Sequence, residues 1–290
     1  MKRYKFILVF TIVIGILMCV CGCDDTNKKT NKEISFSNII EKKEVDLLST
    51  LFKESNISQK NGDKILSSIN DYNDTIGVDL LNKNGIIDLS SAIPQYDDVK
   101  IDEMWLKKND MFIGYNCRIT AFQLMKDFIT VEDISKSNES SIFMDLDALN
   151  YSKDNYFSKD EMNKFKAIYS TIETTSSKDF NEQFKIQKDY WDSIGVKFNE
   201  NNKMSLISVY LHNHFSENEN ELIIGHTGIL FNTEDGYIFF EKLSFQLPYQ
   251  MIRFNSKKEL KQYLMSSYDI DTTGECSKPF ILENNHLLNQ

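Results

Sequence analysis

Residues 204–246 read MSLISVYLHNHFSENENELIIGHTGILFNTEDGYIFFEKLSFQ, and from Met204 onward the apolar spacing takes a period of two. That period puts successive side chains on opposite faces of an extended chain, and the Ile, Val, Phe and Tyr content suits a half-buried sheet. Three strands are expected, over about 204–214, 221–231 and 236–246, forming an antiparallel meander. Thr233-Glu234-Asp235-Gly236 between the last two is a hairpin signal. With a two-residue loop, opposed positions have numbers that sum to an odd value. Glu241 then faces the same side as His226, one or two places from its direct partner.

Working outward, the spacing changes to that of helices. Ser256 to Met265 predicts a helix downstream, and 271–290 reads as a C-terminal tail. Upstream, 116–129 predicts a helix whose stripe is Ala121, Phe122, Leu124, Met125 and Phe128, with Asn116 placed to cap it. Ser158 with Glu161 is a capping-box pair opening a helix through about Thr171, and a more polar helix covers about 179–193. Ile39 to Phe52 has helical spacing, and Ile65, Leu66 and Ile69 suggest a second helix after Gly62-Asp63. The stretch 71–110 reads as irregular, with turns at Asn84-Gly85 and Pro94. The expected class is α+β: a cysteine-bearing helix packed on an antiparallel sheet, with an N-terminal helical region and a helical insertion, all in one domain over 34–270.

The N-terminus carries an address. Lys2, Arg3 and Lys5 precede an apolar run from Phe6 to Val20, which is 15 residues long and too short for a comfortable membrane span. Val20-Cys21-Gly22-Cys23 resembles the bacterial lipobox, which implies a signal peptide over 1–22 and acylation of Cys23. Residues 23–33 form a polar linker. Two acyl chains give stable attachment, so the bilayer is an expected partner and the extracellular face of the cell membrane the expected location. The net charge of −10 falls to −13 once the three N-terminal cations are removed, which excludes nucleic acid as a natural partner. Hydrophobic residues make up 41% of the chain, enough for a sizeable core. Beyond Cys23 only Cys117 and Cys276 remain, so a single disulfide between them is possible and a disulfide framework is not.

Cys117 opens its helix in Gly114-Tyr115-Asn116-Cys117-Arg118. Helix N-termini lower a thiol pKa through their free N–H groups and positive dipole end, and Arg118 adds charge. The same N–H groups can stabilise an oxyanion. His226, in Ile224-Gly225-His226-Thr227-Gly228, stands between glycines that leave space around it. Glu241 could orient the imidazole as the third member of a triad, or pair with Lys242 or Arg253. Tyr115, Asn116 and Gln250 are candidates to line a substrate cleft. A cysteine opening a helix, a His-x-Gly-aliphatic strand and a polar residue on the next strand are similar to the papain-like superfamily, especially NlpC-type cell-wall peptidases and amidases.

Tyr-Asn-Cys-Arg, Gly-His-Thr-Gly-Ile-Leu, Phe-Glu-Lys and Pro-Tyr-Gln together resemble a lipoprotein family known as domain of unknown function 4300, over roughly residues 34 to 270. The resemblance implies a thiol-hydrolase fold and a cysteine hydrolase or amidase with Cys117, His226 and Glu241 as its catalytic residues. It implies no cofactor. Cell-wall peptides or small amides are the nearest substrates, an argument from location. Asn-Cys-Arg in place of Asp-Cys-Ser-Gly, and Glu241 where His, Asn or Gln is usual, separate the chain from the cell-wall peptidases. Two alternatives stand beside this: a binding or structural surface lipoprotein without activity, and a metal protein using His212, His214 and His226. Asp145-Leu146-Asp147 is no calcium loop, because Asn150 and Tyr156 occupy the glycine and glutamate positions.

Overall fold

Alternating apolar residues bury one face of a strand each way, and in this chain both faces are buried. The computed structural model describes residues 34–288, apart from 88, 90–93, 153–154 and 200. The expected signal peptide, the acylated Cys23 and the linker 23–33 lie outside the described residues. The chain opens with strand β1 (Ile34–Ser37), helices α1 (Lys42–Glu54) and α2 (Gln59–Ile76), β2 (Gly85–Ile87), α3 (Asp98–Asn109) and α4 (Cys117–Met125). After β3 (Ile129–Thr130) come α5 (Phe143–Tyr151), α6 (Lys159–Ile168), β4 (Ile172–Glu173), α7 (Phe180–Ser193) and β5 (Lys197–Phe198). The long strands follow: β6 (Met204–Ser216), β7 (Glu219–Thr233), β8 (Gly236–Lys242) and β9 (Tyr249–Phe254). Then come α8 (Lys257–Tyr268), β10 (Phe280–Glu283) and β11 (His286–Leu287).

The main sheet runs in the order β11-β10-β6-β7-β8-β9-β1-β2, with β4 added to β7, and its described ladders are antiparallel. One face carries a large core to which α1 to α7 contribute, packed on Leu206, Tyr210, Ile229, Phe231, Phe240 and Tyr249. The other face, with Ile207, Val209, Leu230, Phe239 and Ile252, is covered by Leu260, Tyr263 and Leu264 of α8. The mixed α+β class and the antiparallel sheet agree with expectation. Among the described residues no helix is long and apolar enough to cross a membrane.

Four expectations need correction. The expected tail over 271–290 is part of the fold as far as residue 288: β10 pairs with β6, from Phe280 opposite Tyr210 to Glu283 opposite Ile207, and puts side chains into both cores. Gly62 does not precede a helix but lies inside α2, where a Cβ would come within 3.1 Å of Phe52 Cδ2. The stretch 71–110 holds the end of α2, then β2 and α3. The last buries only Ile101, Trp105 and Asn109, one residue per turn, which is too thin a stripe for periodicity to show. The opening strand β1 sits between β9 and β2, so the N-terminal region is not wholly helical.

Candidate active site

Three elements meet at the site. Strand β8 pairs with β7 only as far as Gly228 opposite Glu241, so from Thr227 back toward Ile224 that edge of β7 is free of β8. Helix α4 packs there against β7 and β8, and Arg118 Nη1 donates to Ile224 O at 3.0 Å. Asn116 caps the helix, its Oδ1 accepting from Ile119 N–H at 3.1 Å. Its Nδ2 donates to Asp145 Oδ1 at 2.8 Å, and Arg118 binds the same carboxylate through Nε at 2.9 Å and Nη2 at 2.6 Å. This buried fork ties α4 to α5 and turns the Asn116 amide inward. The expectation that Asn116 lines a cleft is therefore corrected: its polar atoms face inward.

Cys117 begins α4 and is 6% exposed. His226 is 1% exposed, and the charges of the two side chains are coupled. Burial works against a thiolate here. The imidazolium of His226, with a smaller share from Arg118, outweighs it, and the Cys117 pKa lies below the usual thiol range. Burial also works against the imidazolium, but the thiolate and Glu241 raise the His226 pKa to about 10. The ring nitrogen Nε2 is 2.5 Å from Glu241 Oε2, which leaves Nδ1 for the sulfur. Glu241 is held from behind: Gln250 Nε2 donates to its Oε1 at 2.7 Å and Tyr263 Oη donates to the same oxygen at 2.8 Å. Tyr268 lies flat on His226, ring centroids 4.7 Å apart and planes at 15°.

The glycines do not leave open space around His226. Where Val209 opposes His226, Tyr210 already opposes Ile224, so Gly225 is an extra residue and β7 is bulged. A Cβ on Gly225 would strike Leu211, and one on Gly228 would strike Phe239. The bulge also settles the three histidines. His212 is two residues from Tyr210 and lies on that face, whereas His226 opposes Val209 on the other. His212 Nδ1 accepts from Ser277 N–H at 2.9 Å, and His214 pairs with Asn220 at 2.6 Å. Among the described residues no three His, Cys, Asp or Glu side chains form a metal cluster, so the His212, His214, His226 alternative is overturned. Cys117 and Cys276 are both free.

Glu241 pairs with neither Lys242 nor Arg253. Gln250 was expected to line a cleft; it is fully buried and serves Glu241 instead. Tyr115 does line a cavity, described below. Three residues had no sequence signal. Tyr263 and Tyr268 belong to a helix far from both motifs. Tyr169, just past α6, is buried beside Cys117, and burial followed by the Cys117 charge raises its pKa. No curated protein and no solved structure matches the chain. A family model matches residues 35–288, and the chain belongs to the family it describes, Domain of unknown function (DUF4300).

Proposed function

We propose that the protein is a thiol hydrolase or amidase of papain-like design, anchored through an acylated Cys23 to the outer face of the cell membrane. The supporting observation is the buried relay Cys117, His226, Glu241, backed by Gln250 and Tyr263. In this reading the Cys117 thiolate attacks the carbonyl carbon of an amide, forming a C–S bond and an oxyanion. The Cys117 N–H, which has no intrahelical acceptor at the first helical position, is one donor to that oxyanion. His226 gives its proton to the leaving amine as the C–N bond breaks, and a thioester remains. His226 then takes a proton from water, whose oxygen attacks the thioester; the C–S bond breaks, releasing a carboxylic acid and restoring the thiolate–imidazolium pair. Glu241 keeps the imidazole oriented and stabilises its cation. Peptide or amide bonds near the cell wall are the proposed substrates.

The depth of the pair favours a second reading, a binding lipoprotein that keeps the relay without turnover. Iodoacetamide labelling at pH 6 separates them. For the hydrolase, Cys117 labels at least tenfold faster than glutathione, and His226→Ala removes the advantage. A rate no higher than that of the urea-unfolded chain would overturn the enzyme reading.

A further inference from the structure

Next to the relay is a cavity of about 230 Å3. Tyr115, one of its walls, stands two residues before Cys117, so their Cα atoms are at most about 7 Å apart. Lys242, another wall, follows Glu241 on β8 and points to the opposite face; burial pushes its pKa well below the usual lysine range, and the charge of nearby Cys117 opposes this. The walls form a chain of rings. Tyr249 meets Tyr72 at 5.9 Å, Tyr72 meets Trp105 at 5.6 Å, Trp105 meets Phe112 at 5.9 Å and Phe112 meets Tyr115 at 5.0 Å. Gly114 closes the wall with φ +96°, its backbone so near the 244–247 turn that a Cβ would be 2.9 Å from Phe245 O.

Several polar groups of the cavity are engaged. Lys242 Nζ donates to Ser244 O at 3.0 Å, Phe245 O at 3.2 Å and Leu247 O, which uses its three protons. It also lies over the Tyr72 ring at 4.1 Å and the Tyr249 ring at 4.9 Å. A ligand cation would compete with Lys242 for those faces, and a ligand anion would find no lysine donor left. At the rim Asp71 pairs with Lys108 at 2.9 Å, Asn109 Nδ2 donates to Trp105 O at 3.2 Å and Ser68 Oγ donates to Lys64 O at 2.9 Å. With those groups committed and five rings on the wall, shape and ring contact suit a flat apolar group better than a sugar with its hydroxyls.

Building on the hydrolase reading, we infer that this cavity is its specificity subsite and takes an uncharged aromatic side chain of a peptide or amide substrate. Two measurements on the full chain in detergent test it. N-acetyl-phenylalaninamide, titrated against the Cys117→Ser protein by calorimetry and tryptophan fluorescence, binds saturably, and at least tenfold more tightly than the alanine or lysine amides. N-acetyl-phenylalanyl chloromethyl ketone alkylates the unaltered protein at least tenfold faster than its alanyl counterpart. Ser68→Phe, whose ring would fill the cavity, brings both ratios to about one. Ser67→Phe on the same wall replaces it if circular dichroism shows the first variant misfolded. Fast iodoacetamide labelling without aromatic preference would overturn the subsite and spare the hydrolase. Slow labelling with saturable phenylalaninamide binding would do the reverse. Absence of binding, or N-acetylglucosamine binding in its place, overturns the inference.

Discussion

Folding lowers the Cys117 pKa and raises that of His226, so the proton the pair holds shifts toward the imidazole. His226, raised from 6.5 to about 10, contributes stability that is full below 6.5 and is lost as pH rises toward about 10. Cys117, lowered from 9.0, contributes stability that is full above 9.0 and is lost as pH falls through its folded value. As pH rises the His226 part declines and the Cys117 part grows, so the two offset each other in between and their sum declines above about 9.0, where only His226 is still titrating. The difference in unfolding free energy between the unaltered chain and Cys117→Ser, measured by urea denaturation across pH 4 to 11, should follow that shape. A difference that does not vary with pH would mean the proton stays on sulfur. Glu241 and His226 could be matched from sequence because a two-residue turn fixes parity. Gln250, Tyr263 and Tyr268 could not, since burial behind a carboxylate leaves no mark on spacing.

At the scale of elements, the relay depends on how closely β7 and β8 approach. Gly228 opposes Glu241, and a Cβ there would lie 2.5 Å from the Phe239 ring and 2.7 Å from Phe240 O. The second of these is backbone and cannot rotate away, so Gly228→Ala must part the strands. Overpacking of this kind costs about 1 to 3 kcal/mol. It should also move Glu241 from His226. The expected result is a lower urea midpoint together with at least a tenfold loss of iodoacetamide reactivity at pH 6, to the level of Glu241→Gln. Reactivity retained at a lower midpoint would show that the carboxylate does not act through this contact. Elements with local chemistry were legible: the Asn116 cap and the Ser158 and Glu161 capping box form as read. The bulge at Gly225 was not, because one inserted residue reverses facing without altering composition. That is why His212 and His226 could be imagined on one face.

Over the whole molecule, the sheet joins distant parts of the chain. The central meander was readable because its strands are long and consecutive. The outer strands are two to four residues each, too short for an alternation to show, and β1 takes its partner β9 from the other end of the chain, so tertiary packing specifies them. The C-terminal strand has the clearest consequence. Phe280 stacks on Tyr210 with centroids 5.1 Å apart, Leu282 enters the large core, and Ile281 and Leu288 enter the second. Burying four such side chains contributes about 6 to 12 kcal/mol as an upper estimate. That is comparable with the roughly 5 to 15 kcal/mol net stability of a typical protein. Lys257 to Glu283 at 2.6 Å further links α8, which carries Tyr263 and Tyr268, to this strand. A chain ended at residue 270 should therefore lose cooperative urea unfolding and become protease-sensitive with its β6 edge uncovered. One ended at 288 should behave as the full chain. If the shorter chain unfolded at the same midpoint with normal thiol reactivity, β10 would be an ornament on a fold complete without it, and the positioning of the relay by α8 would have to be independent of the sheet's outer edge.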